Sequence, residues 1–274
     1  MLLLAGTTEA AGFAALLVGR SDVEVVASLA GRTRSPAPMP CRVRSGGLGG
    51  VEGLARELGT GGYDVLVDAT HPFARAMPHH AAEAAATVGI PRLRLVRPPW
   101  RPGPDDDWHE VAGLGAAADA LRDLGARRVL LTTGRLELAP FAAVAATRFV
   151  VRSIEPPDPM PLVDATVLLA RGPFSVDDEL ALLRGHRIDT IVTRNSGGAA
   201  TAAKLTAART LGARVVMVRR PPGPPGPRVA TPEAALRWID ALPALPARPS
   251  GAAPAGPAQM ASEPADGTCT RFDP

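Results

Sequence analysis

Lysine is almost missing from this chain. Of 274 residues only Lys204 is a lysine, so arginine carries the rest of the 30 basic charges against 27 acidic ones, for a net charge of +3. The arginine bias, together with abundant Ala, Gly and Pro, fits GC-rich coding. No block of Arg or Lys reads as a nucleic-acid arm. Aromatic residues are also scarce, at 4%, which removes the stacking platforms that single-stranded nucleic acid needs. The two cysteines, Cys41 and Cys269, stand far apart and near no His or Cys at metal-ligand spacing. That pattern excludes a disulfide framework and offers no metal centre. No run approaches the ~18 apolar residues of a membrane span. The opening run Met1–Gly6 is too short for a signal peptide and has no basic leader. A soluble, cytoplasmic protein without nucleic-acid or membrane partners is expected.

What is present is an apolar fraction of 46% with 21% charge, a globular profile. Short apolar runs alternate with Ala-rich helical stretches. Strands are expected at 2–5, 23–29, 41–44, 64–69 and 92–96, with helices at 8–18, 51–58 and 78–88. Pro98–Pro104 followed by Asp105–Asp107 breaks the pattern, and it then restarts. An edge strand is expected at 108–111, further strands at 128–132, 148–154, 166–170, 190–193 and 215–218, and helices at 114–124, 176–183, 198–211 and 232–242. Alternation of this kind predicts parallel sheets with helices on both faces. The fold class is therefore α/β, two Rossmann-like parallel-sheet lobes with a cleft between them. The expected division is 1–100 for dinucleotide binding, 101–242 for the substrate side, and 243–274 as a disordered Pro/Ala-rich tail. Pro221–Pro227, flanked by strand and helix, reads as an ordered loop.

The first turn is a candidate phosphate site. A buried strand runs into Gly6, then Thr7, Thr8 and Glu9 open a helix. Free N–H groups and the positive dipole end suit an anion there. The G-x-G-x-x-G fingerprint is not met, and an ordinary N-capped helix would read the same. The end of the second strand lies near the adenosine ribose in dinucleotide folds. It carries Ser28, Gly31, Arg32 and Thr33 rather than an acid, a set suited to a 2′-phosphate and hence to NADPH. A surface turn with a solvated arginine is the alternative. The fourth strand ends in Thr70, His71, Pro72 and Phe73, at the mouth of the sheet. His71 is read as a wall residue and as a candidate proton-handling group.

Three polar or glycine-rich strand ends follow in the second half. They hold Thr133, Gly134 and Arg135; Arg171, Gly172 and Ser175; and Arg194, Asn195, Ser196, Gly197 and Gly198. In a parallel sheet they converge on one edge. Ser196 is expected to cap the following helix, with Gly197 and Gly198 as exposed donors. Lys204 lies two turns further on, as a site cation or a surface lysine.

These stretches, in order, resemble the precorrin-6A reductase family, including its cobalt-precorrin-6A branch. The resemblance rests on Gly6–Ala10, Ser28–Arg32, Asp68–Ala74, Pro91–Trp100, Thr132–Arg135, Arg171–Ser175 and Asn195–Gly198 with Lys204. It covers about residues 1–222. Two positions depart from the family pattern: Ala5 where a second Gly is common, and Arg194 where Lys is usual. The resemblance implies NADPH-dependent reduction of a double bond of precorrin-6A to give precorrin-6B in cobalamin biosynthesis. The substrate is then a tetrapyrrole rich in carboxylates, with Arg135, Arg171, Arg194 and Lys204 as its cations. It admits neighbouring corrin-pathway enzymes as partners. Rival readings are the cobalt-dependent reaction with NADH or NADPH, a dinucleotide or tetrapyrrole sensor without turnover, and a two-lobed glycosyltransferase-like enzyme.

Overall fold

The computed structural model describes residues 1–31 and 38–243. Arg32, Thr33 and the tail from 244 onward lie outside the described residues.

The first half of the chain gives β1 (Leu2–Leu4), α1 (Thr8–Leu16), β2 (Val26–Leu29), β3 (Arg42–Ser45), α2 (Gly50–Thr60), β4 (Leu66–Asp68), α3 (Met77–Val88) and β5 (Arg92–Leu95). The second gives β6 (Trp108–Val111), α4 (Leu114–Asp123), β7 (Arg128–Leu131), a 3-10 turn (Ala139–Ala143), β8 (Arg148–Ser153), β9 (Ala165–Leu169), α5 (Val176–Gly185), β10 (Thr190–Arg194), α6 (Ala203–Leu211) and β11 (Arg214–Val218). The described chain closes with β12 (Arg228–Val229) and α7 (Pro232–Asp240).

The strands form two six-stranded sheets, in the orders β12-β5-β4-β1-β2-β3 and β6-β11-β10-β7-β8-β9. Every pairing is parallel. Parallel strands need both faces covered, and the side chains divide accordingly. Leu2 and Leu4 join Leu54, Leu58 and Ala81 on one face, while Leu3 joins Phe13, Val67 and Ala235 on the other. In the second sheet Leu130 and Val150 pack with Leu183 and Leu205, and Leu131 and Val151 pack with Leu121 and Phe141.

The sequence division at 100 misassigns the end of the chain. The expected second unit runs to residue 242, yet β12 pairs with β5 and α7 covers the α1 face, so both belong to the first sheet. β6, the first strand after residue 100, pairs with β11 at the edge of the second sheet. The strand order in each sheet runs third, second, first, fourth, fifth, as in doubly wound dinucleotide folds. The sixth position is filled in the first sheet by β12, from the second half of the chain, and in the second sheet by β6, from the same half. The chain therefore crosses between the sheets twice, at 96–107 and at 219–227. The second crossing is the proline-rich loop, anchored where Arg92 Nη2 donates to the Pro225 carbonyl at 2.6 Å.

Candidate functional site

The two crossings meet the loop after β10 and, through Arg97, the first turn of α1. β1 stops at Leu4, and Gly6 then takes φ +131, a conformation that favours glycine. A side chain there would meet nothing within 4 Å, so the turn is open. Thr7 caps α1, its Oγ1 accepting from Ala10 N at 3.2 Å and donating to the Ala69 carbonyl at 2.9 Å. Thr8 is exposed and Glu9 half-buried in the first turn. The cap fixes the turn and leaves early helix N–H groups directed outward, as an anion site requires.

At the end of β2, Ser28 is buried and pairs in register with Arg44 of β3. Arg44 Nη1 donates to Ser28 Oγ at 2.9 Å, and its Nε stands 3.6 Å from the Glu57 carboxylate. Gly31 follows with φ +69. Arg44 was not singled out in the sequence. The signal was available only through the Ser28–Arg44 register, because an Arg-Val-Arg strand reads as an exposed edge.

β4 ends at Asp68, fully buried, whose Oδ1 accepts from the N–H and hydroxyl of Thr70 at 3.1 and 2.6 Å. Arg94 stands 3.6 Å from Oδ2. His71 follows, with Nδ1 accepting from Phe73 N at 3.2 Å. Its remaining ring proton therefore sits on Nε2. Burial, then the charges of Arg194, Arg97 and Arg220, push its pKa down to about 3. His71 is thus a neutral imidazole at ordinary pH. Pro72 is buried, and Phe73 crosses to the second lobe, packing on its core with the Arg194 guanidinium 5.3 Å from the ring centre.

The second lobe contributes mostly paired charges. Arg135 bonds Glu155 at 3.0 Å and Arg194 bonds Glu137 at 2.9 Å. Thr133 is buried with an unbonded hydroxyl, and Gly134 turns beside Arg194 with φ +99. Arg171 is exposed and Gly172 abuts Phe174. Ser175 is taken up as the cap of α5, accepting from Asp178 N at 3.1 Å.

Around the loop after β10 the expectations change. Ser196 does not cap the next helix: α6 begins at Ala203 with Ala202 as its cap. Gly197 and Gly198 are not exposed either: the first is buried and the second half-buried. They are covered by the crossing segments. A methyl group on Gly197 would lie 2.0 Å from the Pro98 carbonyl oxygen, and one on Gly198 would lie 2.8 Å from Arg97 Cδ. Asn195 binds the first crossing through both amide atoms, accepting from Trp100 N at 2.8 Å and donating to Trp100 O at 3.0 Å. Trp100 Nε1 donates to the Gly198 carbonyl at 3.0 Å. Arg220, from the second crossing, donates to the carbonyls of Asn195, Arg97 and Pro98 at 2.6, 2.7 and 3.1 Å.

Lys204 is neither a surface lysine nor an outward-facing cation. It is 2% exposed, donates to the Thr201 carbonyl, and sits 4.7 Å from the Trp100 ring centre. Burial first, then Arg152, push its pKa down to about 7. Glu179 and Arg152 form a buried pair nearby at 2.8 Å.

The precorrin-6x reductase CbiJ/CobK family model matches residues 1–240. The chain belongs to that family. A precorrin-6A reductase of Rhodococcus erythropolis is 49% identical over 243 residues, 88% of this chain and 98% of that protein. One of Mycobacterium tuberculosis is 45% identical over 245 residues, 89% and 98% of the two chains. A cobalt-precorrin-6A reductase of Priestia megaterium is 28% identical over 236 residues, 81% and 90%. The solved structure of CobK precorrin-6A reductase superposes with a TM-score of 0.82 at 40% identity, covering 87% of this chain and 95% of that one. That match extends the family's two-sheet α/β fold to this chain. Among the described residues no helix is long and apolar enough to cross a membrane.

Proposed function

We propose that this chain reduces one macrocycle double bond of precorrin-6A to give precorrin-6B, using NADPH, as a cytoplasmic step of cobalamin biosynthesis. The observation that carries the cofactor assignment is the Ser28–Arg44 pair, set beside the open helix turn at Gly6 in the first sheet. The turn fits a diphosphate, and a hydroxyl with a guanidinium fits a 2′-phosphate. No acidic residue stands at the end of β2 to claim the ribose hydroxyls. NADPH, when bound, supplies the hydride. The chain's own residues orient the two ligands and exclude water between the strand ends. Arg135, Arg171 and Arg194, at the second lobe's strand ends, are the cations proposed for the acetate and propionate groups. Their present carboxylate partners, Glu155 for Arg135 and Glu137 for Arg194, would be exchanged for those of the substrate.

His71 is assigned to the wall. With Nδ1 bonded to a backbone N–H and its pKa near 3, it carries no proton that it can surrender near neutral pH. It can donate a hydrogen bond from Nε2 and shape the pocket.

The metal-free macrocycle is favoured over the cobalt form. The relatives named for precorrin-6A share 49% and 45% identity with this chain, against 28% for one named for the cobalt compound. The test is turnover of metal-free and cobalt-loaded precorrin-6A with NADPH or NADH, followed by loss of the reduced-nicotinamide absorbance. The expected result is fastest oxidation of NADPH with the metal-free substrate. Equal rates with NADH would overturn the 2′-phosphate site. Binding of both ligands with no oxidation would replace the enzyme by a sensor.

A further inference from the structure

The turn assigned to the diphosphate contains an acid. Glu9 is the second residue of α1, and a carboxylate there opposes an incoming anion. Its charge is already met. Arg97 Nη1 donates to Glu9 Oε2 at 2.6 Å, and the two side chains are only 14% and 16% exposed. The same guanidinium reaches the other lobe. Its Nε donates to the Ser196 carbonyl at 2.7 Å, and Gly198 closes on its side chain. Its backbone carbonyl accepts from Arg220 Nη1 at 2.7 Å, and Arg220 Nε bonds the Asn195 carbonyl at 2.6 Å. One side chain thus joins the first turn of the cofactor lobe to the loop after β10 in the other lobe.

We infer that Arg97 is a positioning residue, coupling nucleotide binding at the α1 turn to the conformation of the 195–202 loop through the Glu9–Arg97–Ser196 bridge. The inference rests on the reading that a dinucleotide diphosphate binds at that turn. A diphosphate arriving there competes with Glu9 for the guanidinium. Arginine's rigid fork fixes the directions of both donors, so a change at Nη1 is passed to Nε. A lysine, as a point charge on a flexible stem, keeps the attraction for Glu9 but cannot hold both ends in a fixed relation. Coupling of this kind is reciprocal, so an occupied loop also favours the bound nucleotide.

The test is amide hydrogen exchange of residues 195–202 with and without NADP+, in the wild type, Arg97→Lys and Glu9→Gln. NADP+ binding is measured by calorimetry on the same samples. In the wild type, NADP+ is expected to slow exchange in 195–202 by at least about fivefold, the low end of typical coupling factors. In both variants NADP+ is expected to bind while exchange there no longer responds to it. Should Arg97→Lys fail to fold, Glu9→Gln alone carries the test, since it removes the charge and keeps the shape. A purely structural bridge would raise exchange equally with and without NADP+, leaving their ratio as in the wild type, and that result overturns the inference. So does a wild type that binds NADP+ without any response at 195–202. A wild type that binds no NADP+ fails at calorimetry, which sinks the cofactor reading first and the inference with it.

Discussion

The two lobes share a strand order and both hold guanidinium–carboxylate pairs near their carboxyl edges, Arg94–Asp68 and Arg97–Glu9 in the first, but they differ in what else those edges present. The first offers an open glycine turn, small hydroxyls and backbone donors at Gly6, Thr7 and Ser28. The second offers guanidinium groups held by carboxylates, Arg135 by Glu155 and Arg194 by Glu137. An edge of backbone N–H groups suits a ligand whose charge is concentrated in phosphates. An edge of arginines suits one with dispersed carboxylates, because each bidentate pair also fixes direction. On the proposed reading, one scaffold would serve two ligands through differences at and just beyond the carboxyl ends of its strands. Buried ionisable groups follow the same split. In the first lobe His71 is kept neutral by burial and surrounding arginines, whereas in the second Lys204 is buried under Trp100.

Three measurements bear on that contrast, and the largest effect is expected where the lobes join. Gly197→Ala places a methyl group against the Pro98 carbonyl at a residue with φ +66. Forced displacement of the crossing segment is expected to cost about 3 kcal/mol or more, the size of a severe packing defect. Chemical denaturation checks it, and a change below about 1 kcal/mol would show that the crossings are loosely held. Next is the phosphate edge. Arg44→Gln is expected to lower kcat/KM with NADPH by about 10- to 100-fold and to leave NADH nearly untouched, the value of losing one charge-assisted contact. Parallel losses with both cofactors would mean that Arg44 supports the sheet instead of reading the 2′-phosphate.

The smallest effect on turnover is expected at His71. His71→Asn should slow the reaction less than about tenfold; a loss above ~10³-fold with nucleotide binding intact would falsify the wall assignment, since acid catalysis is worth ~10²–10⁴-fold. The substitution has a second signature. The folded pKa near 3 lies below the ordinary 6.5, so between those values the unfolded chain binds the proton that the folded one refuses. Stability is therefore full above pH 6.5 and is lost as the pH falls toward 3. His71→Asn should flatten that acid-side loss, which pH-dependent denaturation would register.

Much of the fold was legible because buried parallel strands are short apolar runs, and Leu2–Leu4, Leu66–Asp68 and Arg128–Leu131 stand out between turns. β12 did not, since two residues, Arg228 and Val229, carry no period. Its place is set by bonds to a strand more than a hundred residues earlier, such as Arg94 N to the Pro227 carbonyl. The same limit hid the return of β12 and α7 to the first sheet, for which a division at residue 100 makes no provision. Gly6, Thr7 and Ser28 were singled out in the sequence because they stand after β1 or near the end of β2. Arg44, Arg97 and Arg220 were not, because in a chain with so many arginines only partners distinguish one from another. The misreadings at Ser196, Gly197 and Lys204 have one cause: the crossing segments cover the loop after β10, and nothing local announces that cover.

By itself the sequence determined most strands and helices and that the sheets are parallel, since each of these depends on neighbours within a few residues. Tertiary structure alone decided which sheet receives the last strand, that His71 is neutral and Lys204 buried, and that Arg97 spans the two lobes. Those outcomes depend on desolvation and on contacts between distant segments, which exist only once the chain has closed on itself.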